Sequence, residues 1–554
     1  MCHCLFFYQV KIMFKSIFNR LSFTRLSSIN GLLALWFTSV TNLSFLQQIW
    51  QLTPHHSFKS VIFLVATFVL LWAYLNFFLQ LITWSKLARP VQSLLLFFAA
   101  SGTYAINSFG VVIDVNQIQN LMETDTQEML DLFLNINVLL YLIFLVVLPC
   151  YFLWRKPLAP QSLLSHLKYK LAFMGISLTV IISILGVFYV DYAAIFREHR
   201  SLRYLVNPVN SVNAFYNYWH IHQPLADKSL VAYGVDAKYA SNSAQKPVLL
   251  VFVLGETARA QSFSLNGYQQ LTNPLLAKQQ IINFSQVSSC GTATAVSLPC
   301  IFSGFTRKDY DDKVAHHREG LLDIIQRAGY QVTWIENNSG CKGVCDRVQQ
   351  YPLLEDKKAQ WCQDGECVDD LLLESFKYFL AKNEVKDQAI FLHQAGSHGP
   401  AYYRRYPKSF EKFTPACNTN AIQGCSTQSL VNTYDNTILY TDYILSSIID
   451  ELKSYQDKYQ IVFWYVSDHG ESTGEHGLYL HGTPYFLAPS QQTHVPMLSW
   501  LSADFRQNQP SKSQCLQGQQ HQNLSHDNIF HTILGLLEIK TAVYQQDLDM
   551  SRCK

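Results

Sequence analysis

Three apolar runs in this 554-residue chain end on residues that can bind a metal or move a proton. "VLLVFVLGETAR" delivers Glu256, "IVFWYVSDHGE" delivers Asp468, His469 and Glu471, and "AIFLHQAGSHGP" delivers His393 and His398. One strand ending in an acid means little, since "DHG" alone also suits a turn with a helix cap. Several strands converging on Glu, Asp and His indicate a metal site, because ligands of open parallel sheets bind beyond the carboxyl ends of the strands. Carboxylates from Glu256 and Asp468 with the His469 imidazole make three protein ligands and leave a fourth position, the pattern of a catalytic zinc. Oxygen-rich sites also accept manganese.

A second feature belongs beside the first. "VSSCGTATAVSLPC", residues 287–300, gathers five hydroxyl residues around two cysteines ten positions apart. A metal next to a hydroxyl lowers its pKa and makes an alkoxide nucleophile. Ser288, Ser289, Thr292, Thr294 and Ser297 all qualify, and their ordinary role would be capping or loop hydrogen bonding. Spacing alone does not choose among them.

The elements that must position these residues are strands and helices in alternation. Continuous apolar runs at 247–254, 331–336, 389–396, 461–470 and 495–500 read as strands buried on both faces. Helical stretches lie near 318–328, 428–454 and 526–538. The expected fold is α/β, a mainly parallel sheet between helices.

The first third differs. Stretches 26–58, 60–85, 90–113, 132–154 and 171–190 are charge-poor, and each can hold the ~20 apolar residues that span a bilayer. The first is the most polar, with Asn42, Ser44, Gln47 and Gln48. Lys11, Lys15, Arg20 and Arg25 precede it. Lys86 and Arg89 follow the second stretch, and Arg155, Lys156, Lys168 and Lys170 follow the fourth. The 110–131 loop has no Lys or Arg but carries Asp114, Glu123, Asp125, Glu128 and Asp131. This alternation puts the N-terminus in the cytoplasm and, with five spans, everything after about residue 195 outside. No cleavage site of a signal peptide is evident, and Met13 is an alternative start. The expected organisation is a cytoplasmic segment at 1–28, a five-helix membrane domain at 29–195, an interfacial segment and linker at 196–245, and a catalytic domain at 246–554. Within the linker, "FREHRSLRYLVNPVNSVNAFYNYW" looks interfacial, with Pro208 breaking it.

Of 13 cysteines, ten lie after residue 289, on the side placed outside. Eight are near neighbours, 290/300, 341/345, 362/367 and 417/425, which in an oxidising compartment read as disulfides. Cys515 and Cys553 are candidates for a fifth. The formal net charge of +2, with no concentrated basic tract, argues against a general polyanion binder, and no nucleic-acid partner is expected.

"GETARAQSFSLNGY", "SCGTATAVSLPC", "NNSGCKGVCDR", "SHGPAYYRRYP" and "YVSDHGESTGEHGLYLHG" together resemble the motifs of the lipid A phosphoethanolamine transferases, a family that includes mobile polymyxin-resistance enzymes. The resemblance implies an alkaline-phosphatase/sulfatase-like periplasmic domain and Thr294 as nucleophile. It implies zinc held by Glu256, Thr294, Asp468 and His469, and His398 and His481 as further active-site histidines that hold phosphoethanolamine or a second zinc. Ser339 and Lys342 match substrate contacts. Asn120, Thr124 and Glu128 recur every four residues, which on a helix is one face, and the family matches them to lipid-head-group contacts. The sulfatase signature Cys/Ser-x-Pro-x-Arg is absent, against a formylglycine sulfatase. The resemblance thus implies a monomeric, multi-pass protein of a Gram-negative inner membrane. It would move phosphoethanolamine from phosphatidylethanolamine to a lipid A phosphate through a threonine intermediate, giving polymyxin resistance. Alternatives are a phosphoglycerol transferase of the same superfamily, a core sugar as acceptor, or a catalytically silent membrane sensor.

Overall fold

The structure, a computed structural model, describes residues 25–53, 58–123, 136–221, 230–239, 246–363 and 366–553. Asn42 interrupts the first apolar stretch. Leu26–Trp36 is α-helical, Phe37–Thr41 widens into a π-turn, and Leu43–Leu52 leaves with a 61° bend. The Thr38 and Thr41 hydroxyls donate to the carbonyls of Ala34 and Phe37, at 2.8 and 3.1 Å, and Asn42 Nδ2 also reaches the Phe37 carbonyl, at 3.0 Å. Side chains inserted into the helical ladder are a physical cause of such a bend.

Phe58–Ile82, Ile136–Arg155 and the part of Leu163–Glu198 up to Tyr189 are long and apolar enough to cross a bilayer, and the bent pair makes a fourth if counted as one span. The fifth expected span is helical as Ala88–Phe109, but Ser101, Thr103, Asn107 and Ser108 dilute its apolar surface. The described residues therefore hold three to four strongly apolar spans where five were expected. After Glu198 comes a 3-10 turn, Arg200–Leu205, and Pro208 stands immediately before a new helix, Val209–Ile221. A ring with φ already fixed suits that place.

The described parts of Met1–Ser108 and Ile136–Ala214 form one compact unit, and those of Phe109–Asn135 and Phe215–Lys554 another. In the first, Phe58–Ile82 packs along Leu163–Glu198, tied by Thr67 Oγ1 to Tyr192 OH (2.9 Å) and Asn76 Nδ2 to Ser177 Oγ (2.8 Å).

The second unit is built on one seven-stranded sheet. Its strands are β1 (Val248–Gly255), β2 (Ile282–Phe284), β3 (Gln331–Glu336), β4 (Gln349–Tyr351), β5 (Gln388–His393), β6 (Gln460–Ser467) and β7 (Met497–Leu501), in the order β2-β7-β6-β1-β5-β3-β4. From β6 to β4 every pair is parallel. β7 runs antiparallel to both β6 and β2, so the sheet is mixed. A parallel neighbour needs a crossover, usually a helix, and between β6 and β7 the only α-helical piece is the four-residue Ser490–Thr493. That gap is the sequence signal for the reversed strand.

β1 shows why the sheet is central. Alternate side chains of a strand face opposite ways. Leu250, Phe252 and Leu254 join one apolar core with Leu298 and Ile301 of helix Thr294–Ser303 and Phe530 of helix Asp527–Leu536. Leu249, Val251 and Val253 join the other with Phe376 of helix Asp370–Lys382 and Ile438 of helix Thr427–Lys453. Both faces are covered, and what remains open are the strand ends.

Candidate active site and metal centre

β1 and β6 are parallel neighbours with Gly255 opposite Ser467, so Glu256 and Asp468 leave the sheet side by side. The ligand atoms of Glu256, Asp468 and His469 all lie within 4.8 Å of one another, and all three residues are buried. The His469 Nδ1–H donates to the Gly470 carbonyl at 2.9 Å, which fixes the tautomer and leaves Nε2 free to act as a ligand.

Thr294 is the first residue of helix Thr294–Ser303 and follows Ala293 in extended conformation. Its Oγ1 lies 3.1 Å from Glu256 Oε2 and 3.3 Å from His469 Nε2. The other hydroxyls of the stretch are engaged elsewhere. Ser288 donates to the Leu524 carbonyl, Ser289 to that of Gly291, and Thr292 to that of Thr483, while Ser297 accepts from the Gly291 N–H. Of the five hydroxyls, Thr294 is the one that meets the Glu256 carboxylate. The Cys290–Cys300 disulfide clips the preceding loop to the same helix. Closing so short a loop removes about 2–3 kcal/mol of unfolded-chain entropy.

The two buried carboxylates and the imidazole of this niche shift one another strongly. Burial and the neighbouring Glu256 charge push Asp468 up to about 6. Burial also opposes ionisation of Glu256, but the hydrogen bond and charge of His469, with His398 and His393, hold it well below the ordinary range. Burial works against protonation of His469 too, yet Asp468 and Glu256 raise it to about 10. Asp468 Oδ2 has no hydrogen-bond partner, and it lies 3.4 Å from His469 Nε2. An orphaned buried carboxylate oxygen beside a second carboxylate and an imidazole is a donor set that fits a divalent metal.

His481 and His398 stand on the next layer. Their ring centres are 5.1 Å apart, and the His481 ring centre is 4.5 Å from that of His469. Burial lowers both to about 3, so both are neutral at physiological pH. His481 Nδ1 is 2.9 Å from Glu471 Oε2, and Glu471 also accepts from the Tyr402 hydroxyl. His469, Glu471 and His481 form a second group with metal-ligand spacing.

Residues that motif reading did not assign hold this arrangement in place. Asn338 Nδ2 donates to Glu256 Oε2 (2.7 Å) and to the Gln394 carbonyl (2.9 Å). Glu336, the last residue of β3, lies 2.9 Å from His393 Nδ1. Gly396 has a φ of +56°, and a Cβ there would come within 2.6 Å of the Glu256 carbonyl oxygen, so the turn after β5 tolerates no side chain at this point. Thr257 has a φ of +59°, unusual for a β-branched residue. It is fixed from both sides: its N–H donates to Asp468 Oδ1 and its carbonyl accepts from Tyr434 OH. Such strain persists only where the surroundings over-determine it. His526 is a strut: Nδ1 accepts from the Cys290 N–H at 3.1 Å and Nε2–H donates to the Ser467 carbonyl at 3.0 Å. It thereby joins the Thr294 loop to the strand that carries Asp468. The one available signal was position, since Glu336 and Asn338 stand at a strand end like Glu256.

Ser339 and Lys342 follow β3. Lys342 Nζ donates to the carbonyls of Ser339 (3.2 Å) and Glu123 (3.0 Å). Glu123 ends helix Val115–Glu123, which carries Asn120 and packs on helix Thr294–Ser303. Gln117 of that helix donates to the His481 carbonyl at 3.1 Å. Thr124 and Glu128 lie outside the described residues. Further disulfides join Cys341 to Cys345, Cys362 to Cys367, Cys417 to Cys425 and Cys515 to Cys553.

The fold and the strand-end cluster define a class first: residues 249–539 match the Sulfatase family model. Residues 71–222 match the model described as phosphoethanolamine transferase EptA/EptB. The chain is 42% identical over 508 residues to the phosphoethanolamine transferase EptA of Salmonella typhimurium, covering 91% of this chain and 92% of that one. It is 38% identical over 477 residues to the phosphatidylethanolamine transferase Mcr-1 of Escherichia coli, covering 84% and 88%. Among solved structures, the integral membrane lipooligosaccharide phosphoethanolamine transferase A (EptA) of Neisseria meningitidis superposes with a TM-score of 0.90 at 37% identity, over 94% of this chain and 98% of that one. The chain belongs to the EptA and Mcr family of integral-membrane phosphoethanolamine transferases.

Proposed function

We propose that this enzyme moves phosphoethanolamine from phosphatidylethanolamine to a phosphate of lipid A in two half-reactions through Thr294. The observation that carries this reading is the Thr294 hydroxyl, 3.1 Å from Glu256 and 3.3 Å from His469 at a helix N-terminus, with its neighbouring hydroxyls engaged elsewhere. In the first half-reaction Thr294 Oγ1 attacks the donor phosphorus and the bond to the glycerol oxygen breaks. Diacylglycerol leaves with the proton and a phosphoethanolamine ester remains on Thr294. In the second, an oxygen of a monoprotonated lipid A phosphate attacks the same phosphorus, the bond to Thr294 breaks, and that phosphate's proton passes to Thr294 Oγ1 to restore the hydroxyl.

Glu256, Asp468, His469 and Thr294 would hold zinc, which supplies a lowered hydroxyl pKa and a counter-charge for phosphoryl oxygens. The Glu471 group offers a place for a second. Asn338 orients Glu256, and neutral His398 and His481 line the site as hydrogen-bond donors for phosphoryl oxygens. The N–H groups that open helix Thr294–Ser303 face the developing negative charge. Ser339, Lys342 and Asn120, with Thr124 and Glu128, make the head-group contacts. We place five spans in the inner membrane, with Ala88–Phe109 long enough at 22 residues to be the fifth. The N-terminus is then cytoplasmic, the catalytic domain periplasmic and the protein a monomer, with boundaries at 28, 195 and 245. Capping a phosphate with an ethanolamine cation lowers the anionic charge that attracts polymyxins.

The test is intact-mass analysis of full-length protein incubated with phosphatidylethanolamine and no acceptor. A phosphoethanolamine adduct mapping to Thr294 is expected. Thr294→Ala should lose the adduct and slow lipid A modification roughly 10³-fold or more. A Thr294→Ala protein that still modifies lipid A at the normal rate overturns the assignment.

A further inference from the structure

The membrane unit carries a groove of about 650 Å³ between helices Phe58–Ile82 and Leu163–Glu198 and the segment after Glu198. That is within the roughly 300–1,000 Å³ of ordinary ligand sites. Its walls are apolar, with Leu71 and Leu185 from the two helices, and its polar groups include Arg203, Asn210 and Asn213. Thr67–Tyr192 at 2.9 Å and the Lys59–Asp191 pair at 3.2 Å place the groove toward the C-terminal end of Leu163–Glu198. Arg203 is exposed, and Nη2 donates to the Tyr204 hydroxyl at 2.7 Å, which steadies the guanidinium at the mouth.

We infer that this groove holds one acyl chain of a glycerophospholipid, with the lipid phosphate at Arg203 and the glycerol esters near Asn210 and Asn213. Walls on helices that stand in hydrocarbon suit a chain and exclude a water-soluble ligand. A cation with two amides suits a phosphate and its esters. Inside a bilayer no hydrophobic force separates a groove from the surrounding lipid, so retention rests on packing and on the polar mouth. Arg203 is therefore the deciding residue. The groove deepens the transferase reading as a seat for the lipid donor, and rests on that reading for this role only.

The experiment uses full-length protein in phosphatidylcholine nanodiscs doped with phosphatidylethanolamine that carries a photoreactive diazirine on one acyl chain. Adducts are mapped by peptide mass spectrometry. Residues 67–74 and 181–196 should be labelled about fivefold more than Ile136–Arg155, a helix that is also largely lipid-facing. Leu185→Trp, or Leu70→Trp where the first does not fold, and Arg203→Gln should each remove most of that excess, and Arg203→Lys should restore part of it. Equal labelling of Ile136–Arg155 would mean bulk lipid contact and overturn the site. So would a matched lipid A probe that labels the groove where the phospholipid probe does not. Repeating the labelling in Thr294→Ala protein separates the two readings: the groove adducts stay even if the threonine assignment fails.

Discussion

In the membrane unit Asn30 Nδ2 donates to Thr83 Oγ1 (2.7 Å) and Gln80 Oε1 (3.2 Å), and Gln92 Nε2 donates to Asn30 Oδ1 (2.8 Å). Gln80 Nε2 goes on to the carbonyl of Ser27 and to Asn76 Oδ1. Neutral amides here exchange donors for acceptors within the network. At the strand ends of the second unit two carboxylates and an imidazole crowd together, and Asp468 Oδ2 is left without a hydrogen-bond partner. Both clusters are buried and polar. The first is satisfied by its own amides and hydroxyls and holds helices together, whereas the second leaves a carboxylate oxygen unpartnered among ligand-type atoms. A buried polar group is expected to be satisfied, and here the unpartnered oxygen stands among atoms whose types and spacing fit a divalent metal.

The largest test of that contrast removes the acid that carries the orphaned oxygen. Asp468→Asn should lower lipid A modification roughly 10³-fold or more, with zinc lost in elemental analysis of the purified protein. Full zinc content in Asp468→Asn protein would place the metal elsewhere. Next in size is Asn338→Ala, which leaves the ligands intact but frees Glu256. Partners of metal ligands are typically worth 10–100-fold in metal affinity or activity, and Asn338→Ala should fall in that range by zinc titration.

Those two residues also divide what the sequence discloses from what it withholds. Glu256, Asp468 and His469 follow apolar runs directly, and a parallel sheet brings such ends together by rule, so they are visible without coordinates. Asn338 lies two residues past β3, but its contact with Glu256 depends on the two strands flanking β5, an order that no local pattern encodes. The His526 strut spans 236 positions to Cys290 and is equally hidden. Spans show the converse. Apolar composition finds Phe58–Ile82 at once, while the bend at Asn42 turns on individual side chains that reach back to helix carbonyls, and Thr103 in the polar half of Ala88–Phe109 has a tertiary partner in the Thr41 carbonyl.

A smaller effect is expected from pH. Burial lowers His526 to about 3 and His531 to about 4. In the unfolded chain each takes a proton near pH 6.5, and the folded protein refuses it until far lower. The unfolded state therefore binds more protons below about 6.5. Stability is complete above that pH and falls as pH drops toward 4 and 3, by roughly 1–2 kcal/mol per histidine at pH 5. Thermal unfolding of the full chain in detergent between pH 7 and 5 measures the slope. His531→Phe should flatten it, and an unchanged slope would move the effect to other groups.

The smallest change should come from the amide cluster. Asn30→Leu should cost about 0.6–2 kcal/mol, the range of hydrogen bonds between membrane helices, with activity per folded molecule unaltered. A loss of activity larger than the loss of folded protein would show that the amide cluster does more than hold helices.

The reversed strand has a further consequence. Because β7 returns beside β6, with Val466 opposite Met497, the 29-residue excursion between Ser467 and Met497 begins and ends at the same edge of the sheet. Asp468 and His469 sit at its anchored root, and His481 rides midway along it. Lengthening such a closed detour is thermodynamically cheap: doubling a flexible loop adds only about 0.6 kcal/mol of closure entropy. Evolution can therefore rewrite the outer turns of this detour while Asp468 and His469 at its root stay where the strand put them.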